Sequence, residues 1–196
     1  MDYMSTNKIE EKLSKELKPE RYRHTLGVAY TAASMAMVFD IDIHKAYRAG
    51  LLHDCAKGYS IAQQKDLCEK YGILIDQTYK DSPQLIHSAL APYVAREYYG
   101  EQDPEILNAI ECHTTGKPAM SILEKIVFIA DYMEPNRKDI PGLKEVRKLA
   151  FLDLDVCVFQ ILENTIGYLN DIGQSIGGST METYEYYKSI NDGKKA

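Results

Sequence analysis

No stretch of this chain approaches the ~20 consecutive apolar residues that a bilayer-spanning helix requires. The opening segment, MDYMSTNKIEEKLSKELKPERYRH, is charged and lacks the apolar centre of a signal peptide. There is no CxxC pair either. Cys55, Cys68, Cys112 and Cys157 are scattered, which disfavours a disulfide framework and suits free thiols in a reducing cytoplasm. A basic face is also missing: 23 Lys and Arg against 29 Asp and Glu leave a net charge of −6, which argues against a nucleic-acid backbone as partner. A small anionic ligand stays compatible with that charge, because a few local cations or a metal reverse the field inside a pocket. No internal repeat, low-complexity linker or change of composition marks a boundary, so residues 1–196 are expected to form a single domain.

What the chain does contain is helix after helix. With 45% apolar and 27% charged residues it is ordinary for a globular protein and long enough to bury a core without staples. Pro19 stands at a plausible helix start, and Tyr22, Leu26, Ala29, Ala33, Ala36 and Val38 follow near a 3.6 period. Asp42 can cap the next helix, which is expected to run to Gly58. Ser60 with Gln63, and Ser121 with Glu124, have the form of capping boxes, while Gly72 and Gly116 read as helix stops. Pro92 is expected to kink or break the helix that Ser82-Pro83 opens, and only ILIDQTY has strand-like character. The expected class is all-α: a metal-site core over about residues 20–137, with C-terminal helices over 143–190 completing the fold.

The chemistry-bearing residues are few. Of five histidines, His24, His53, His87 and His113 fall on successive helices, and His53 is followed directly by Asp54. Asp131 follows the apolar run IVFIA and is drawn inward, where an unpaired carboxylate is costly and needs a strong partner. A divalent metal would serve. Imidazole suits iron, zinc, cobalt, nickel and copper, and carboxylate extends the range to manganese and magnesium. Neighbours on a helix diverge by about 100°, so His53 and Asp54 can flank one ion only near a helix end. Four histidines and two aspartates exceed the needs of one four-coordinate site, and with Asp54 as a bridge they would hold two ions. Taken singly, a helical histidine facing a core is more often a hydrogen-bonded core residue than a ligand, and His44, in a polar helix start with no ionisable partner in pattern, is read as no ligand. Lys57 shares a helical face with His53 and Asp54, and Arg21 with His24. Arg137 follows ADYMEPN. Each has a solvated surface cation as its alternative reading. Glu134 could orient a ligand or an arginine, and Tyr184 with Tyr187 reads as a packing stripe.

The order H, HD, H, H, D resembles the HD-domain metal-dependent phosphohydrolase superfamily, and within it the YqeK-like symmetrical diadenosine tetraphosphate hydrolases. The stretches that carry the resemblance are RYRHTLGVAYTAASMA, KAYRAGLLHDCAKG, LIHSALAPYVARE, AIECHTTGKPAMSILEKIVFIADYMEPNR and PGLKEVRKLAFLDLD. The resemblance implies an HD-domain helical bundle and a two-metal centre, usually iron, with manganese, cobalt or zinc as alternatives. His24, His53, Asp54 and Asp131 would be the basic metal ligands, and His87 and His113 would accommodate a second ion. It also implies symmetrical cleavage of diadenosine tetraphosphate to ADP by a hydroxide held between the ions, with His53, Asp54 and Lys57 as catalytic residues. The substrate would be bound by the metal ligands, Arg21, Arg137, Lys57, the backbone at Cys55 and Ala56, and the loop Gln174, Ser175, Ile176, Gly177, Gly178 and Ser179. This chain departs from the family pattern at Leu90-Ala91-Pro92, and at Gly177-Gly178 where a histidine-proline pair is expected. The rival readings are another HD nucleotide phosphohydrolase or phosphodiesterase, a di-iron oxygenase, and a non-catalytic sensor of metal and nucleotide. The expected partner is a small nucleotide, with no nucleic acid and no membrane; a homodimer stays open.

Overall fold

The computed structural model describes residues 4–195; residues 1–3 and 196 of the expected domain lie outside the described residues. Eleven α-helices and two short 3-10 turns make up the described chain, which contains no strand. The helices are α1 (Thr6–Glu16), α2 (Pro19–Val38), α3 (Ile43–Leu52), α4 (Ile61–Tyr71), α5 (Gln77–Asp81) and α6 (Ile86–Tyr99). They continue as α7 (Pro104–Cys112), α8 (Ile122–Met133), α9 (Leu143–Leu149), α10 (Leu154–Asp171) and α11 (Gly178–Lys195). No helix among the described residues is long and apolar enough to cross a membrane.

Local chemistry sets the helix ends. Both capping boxes form, Ser60 with Gln63 on α4 and Ser121 with Glu124 on α8. Asp42 accepts from the amides of His44 and Lys45 at the start of α3, and Asp103 accepts from Glu105 ahead of Pro104 in α7. Gly72 and Gly100 close α4 and α6 in the left-handed conformation.

Four expectations are corrected. The helix expected to reach Gly58 stops at Leu52; His53 caps it, Asp54 turns away (φ −104°, ψ 17°), and a 3-10 turn spans Cys55–Gly58. ILIDQTY forms no ladder: Ile73 and Ile75 pack inward from coil while Leu74 is exposed, and Asp76 caps α5. Helix α6 does not break at Pro92 but runs on through it. An interior proline costs about 3 kcal/mol, but Ile86, Leu90, Val94 and the ring itself are all buried, and tertiary packing outweighs the local cost. Val38, expected on the inner face of α2, is exposed at the helix end.

One continuous apolar cluster runs from Ile9 and Leu13 on α1 to Tyr187 on α11. Tyr187 is fully buried and its hydroxyl accepts from the Met120 amide, while Tyr184 stacks on Phe159. Helix α2 packs closely against α3. A Cβ on Gly50 would lie 2.6 Å from Ala29 Cα, and Ala29, Ala32, Ala36, Ala46 and Ala49 are all fully buried. Small residues let these two backbones nearly touch, which brings the His24 and His53 rings to 5.4 Å between centroids.

Candidate metal centre

Six side chains from five elements converge in the interior. Helix α2 supplies His24, and the end of α3 supplies His53 and Asp54. His87 lies in the first turn of α6, His113 at the end of α7 and Asp131 on α8. The four histidines and Asp54 are buried, while the Asp131 side chain keeps a fifth of its surface.

The two oxygens of Asp54 face different neighbours. Oδ1 lies 3.3 Å from His87 Nε2 and 3.5 Å from His113 Nε2. Oδ2 lies 3.5 Å from His53 Nε2 and 4.0 Å from His24 Nε2. Asp131 Oδ1 closes the second group, 2.9 Å from His24 Nε2 and 3.7 Å from His53 Nε2. His24, His53 and Asp131 offer donor atoms within 4.8 Å of one another, as do His53, Asp54 and His113.

Hydrogen bonding on the far side of each ring sets the tautomers. Nδ1 of His53, His87 and His113 lies 2.6 Å from the carbonyl three residues earlier, of Gly50, Gln84 and Ile110 respectively. A carbonyl only accepts, so each Nδ1 carries a proton, and the neutral form of each ring turns a bare Nε2 lone pair inward. Gly50 and Ile110 belong to last helical turns, whose carbonyls lack helical partners. His24 differs: its Nδ1 meets the Glu134 carboxylate at 3.1 Å. Glu134 Oε2 in turn accepts from the amide and the side chain of Asn136, at 2.6 and 3.1 Å. Gly27 leaves the room this carboxylate needs, since a Cβ there would lie 2.2 Å from Glu134 Oε2.

This arrangement fits a divalent metal. Nε2 of His24 and His53 and Oδ1 of Asp54 are buried without hydrogen-bond partners. Nε2 of His87 and of His113 lie 3.2 Å apart, and with both Nδ1 atoms donating, neither neutral ring has a proton for that contact. Lone pairs and carboxylate oxygens crowded this closely need a cation between them. Burial would push the Asp54 carboxyl up, but the charge and Nε2 protons that His53, His113 and His87 carry in their imidazolium forms outweigh it and hold the group well below the carboxylate range where no metal takes their place. Burial acts the same way on Asp131, and there the adjacent His24 ring, its Nε2 2.9 Å from Oδ1, leads the opposing effects and keeps the carboxyl low. Burial lowers His87 to about 4, keeping it a neutral ligand. His24 moves up despite burial, because Asp131, Glu134 and Asp54 favour its charged form.

Cations stand at the rim. Arg21 Nη1 donates to Asp54 Oδ2 at 2.9 Å, Lys57 Nζ is 3.9 Å from Asp54 Oδ1, and Arg137 Nη2 is 3.9 Å from Asp131 Oδ1. Cys55 and Ala56 are buried beside Asp54, with the Cys55 thiol turned to the Ala91 carbonyl and the Ala56 carbonyl facing Gln64. Cys112 likewise turns away, to Ala109. Arg147 donates to the carbonyls of Met133 and Glu134 at the end of α8.

A cavity of about 240 Å³ adjoins the centre, walled by His113, Phe128, Asp131, Ile161, Leu162 and Thr180. None of Gln174, Ser175, Ile176, Gly177, Gly178 or Ser179 lines it. Gly178 and Ser179 already belong to α11, and Gly177 sits against Thr78, where a Cβ would come within 2.7 Å of Cγ2. The wall residues Phe128, Ile161, Leu162 and Thr180 escaped sequence reasoning. The one available signal was Thr180, directly after the loop.

The HD domain family profile matches residues 21–136, a span that includes all six converging side chains. The chain is 39% identical over 182 residues to a Halalkalibacterium halodurans protein named "Bis(5'-nucleosyl)-tetraphosphatase, symmetrical", covering 92% of this chain and 96% of that one. A Bacillus subtilis protein of the same name is 37% identical over 180 residues, 90% of this chain and 94% of the relative. A crystal structure from Clostridium acetobutylicum, described as a predicted HD superfamily hydrolase involved in NAD metabolism, superposes with a TM-score of 0.92 at 38% identity. It covers 96% of this chain and 100% of that one. By profile, sequence and fold together, this chain belongs to the HD-domain family, in the branch that holds the bacterial proteins named symmetrical bis(5'-nucleosyl)-tetraphosphatase.

Proposed function

We propose that the protein hydrolyses diadenosine tetraphosphate at its midpoint and releases ADP as the sole nucleotide product. The carrying observation is the Asp54 carboxylate, each oxygen of which faces its own set of inward-turned imidazoles, with Arg21, Lys57 and Arg137 at the edge. Relatives that match nearly the whole chain are named for this reaction.

His24, His53, Asp54 and Asp131 would hold one divalent ion, and His87 and His113 would share Asp54 to hold a second. When bound, such ions neutralise phosphoryl oxygens and make water nucleophilic near neutral pH. A water oxygen bonds to one central phosphorus as that phosphorus loses its bond to the bridging oxygen, and the other half leaves as ADP. Lys57 and the free donors of Arg21 and Arg137 meet the non-bridging oxygens, where charge grows as the bond breaks. Asp54, held ionised, keeps Arg21 and Lys57 in place. One adenosine half occupies the cavity beside His113, against Phe128, Ile161 and Leu162, and the loop Gln174–Ser179 borders that half through the adjoining Thr180. Helices α10 and α11 therefore complete the pocket, so the core and the C-terminal helices act as one unit. Iron is the proposed resident metal, on the family resemblance. Imidazole with carboxylate also accepts manganese, cobalt or zinc. The four buried free cysteines suit a reducing cytoplasm.

The test is product analysis on protein purified without chelator, with its metal measured on the same sample. ADP alone is expected; AMP with ATP would mean another cleavage register, and no turnover with any of these metals would refute the assignment. Lys57→Ala should retain the metal and lower kcat, because Lys57 faces Asp54 from the rim rather than from inside the donor set.

A further inference from the structure

We infer that a second cavity, on the His24 side of the centre, is the subsite for the other nucleoside diphosphate half of the substrate. This rests on the dinucleoside tetraphosphate reading above. A substrate cut at its midpoint over one centre sends equal halves in two directions, and the cavity beside His113 accounts for only one of them.

The second cavity measures about 480 Å³ and is lined by Arg21, His24, Asn136, Arg137, Lys138 and Ile140, with Glu20 and Glu134 completing the wall. It meets the centre through His24, as the first does through His113 and Asp131, and the two cavities share Arg137. Arg137 therefore stands where a polyphosphate passing from one to the other must cross.

The electrostatics suit a diphosphate. In a chain of net charge −6, three cations gather here. Arg21 commits Nη1 to Asp54, yet its side chain is 39% exposed, so part of its five-donor guanidinium remains open to the cavity. Lys138 is exposed and makes no ion pair among the described residues. Of the two carboxylates, Glu134 is buried with its oxygens engaged by His24 and Asn136, and Glu20 is exposed, so three cations face two carboxylates in the wall. Ile140, 37% exposed, offers an apolar face for the nucleoside. This half is held mainly through its phosphates, by the three cations of the wall.

The test is calorimetric titration of the metal-loaded protein with ADP, alongside kinetics on diadenosine tetraphosphate. The parent protein should bind two ADP per chain. Lys138→Glu, an exposed change that disturbs no packing, should weaken the second ADP about tenfold, leave the first within about twofold and raise KM for the dinucleotide. A parent protein that cleaves the dinucleotide yet binds one ADP per chain overturns the subsite and spares the reaction. So does an unchanged second equivalent in Lys138→Glu. Two ADP bound without any cleavage would support the subsite and sink the reaction.

Discussion

Replacing Glu134 by Gln keeps the shape of the side chain and removes its charge, and it breaks a two-sided contact. One carboxylate oxygen accepts from His24 Nδ1 at 3.1 Å, and the other accepts from the Asn136 amide at 2.6 Å and from Asn136 Nδ2 at 3.1 Å. A glutamine has a single acceptor oxygen. If that oxygen serves Asn136, its NH2 faces His24 Nδ1, and the ring must move its proton to Nε2, the atom that faces Asp131 at 2.9 Å. If it serves His24, the NH2 faces the Asn136 amide, donor against donor. Carboxylate partners of metal-bound histidines are typically worth 10–100-fold in metal affinity, and tenfold corresponds to about 1.4 kcal/mol. Glu134→Gln should therefore weaken metal binding by about 1.4–2.8 kcal/mol. The loss should fall on the ion held by His24, because the other three histidines rely on backbone carbonyls that the substitution does not touch. Chelator competition with metal analysis reads the affinity, and circular dichroism reports whether the helices persist. Folded Glu134→Gln protein with parental affinity for every equivalent of metal would refute this account of the His24 ring. Gly27→Ala is the companion: its Cβ would lie 2.2 Å from Glu134 Oε2 and force the carboxylate off His24. It should reproduce the metal defect even though alanine favours a helix interior by about 0.5–1 kcal/mol over glycine.

Gly50→Ala should separate α2 from α3, since its Cβ would come 2.6 Å from Ala29 Cα, a backbone atom that cannot rotate away. Overpacking of this kind costs about 1–3 kcal/mol; an unchanged urea midpoint would count against the close approach. In metal-stripped protein, His87 makes stability fall as pH falls. Its folded pKa is lowered to about 4 by burial from an ordinary 6.5, so between those values the unfolded chain takes up a proton that the folded one refuses. At 1.36 kcal/mol per unit the whole window is worth about 3 kcal/mol at most, and His87→Gln should flatten that part of the pH profile of the unfolding free energy. A parental slope in the variant would assign the effect to another group.

The sequence alone determined the ends of most helices, because the forces there act over three or four residues. Ser60 meets the amide of Gln63, Ser121 that of Glu124, and Asp42 those of His44 and Lys45, so their spacing in the chain is already their geometry. It determined the donor types too, since histidines and aspartates placed in apolar helices have few inexpensive uses. Where burial competes with local preference, the sequence misled: Pro92 stays helical inside the core, and Asp54 leaves the helix that His53 ends. Tertiary structure alone decided that the two oxygens of one aspartate face two groups of imidazoles. It also decided that Glu134, 110 positions from His24, holds that ring, and that cavities open on both sides of the centre. Those facts depend on how far two helix axes approach and on which residues are small enough to allow it. Helix periodicity says which face of a helix is apolar, but not which other face it will meet.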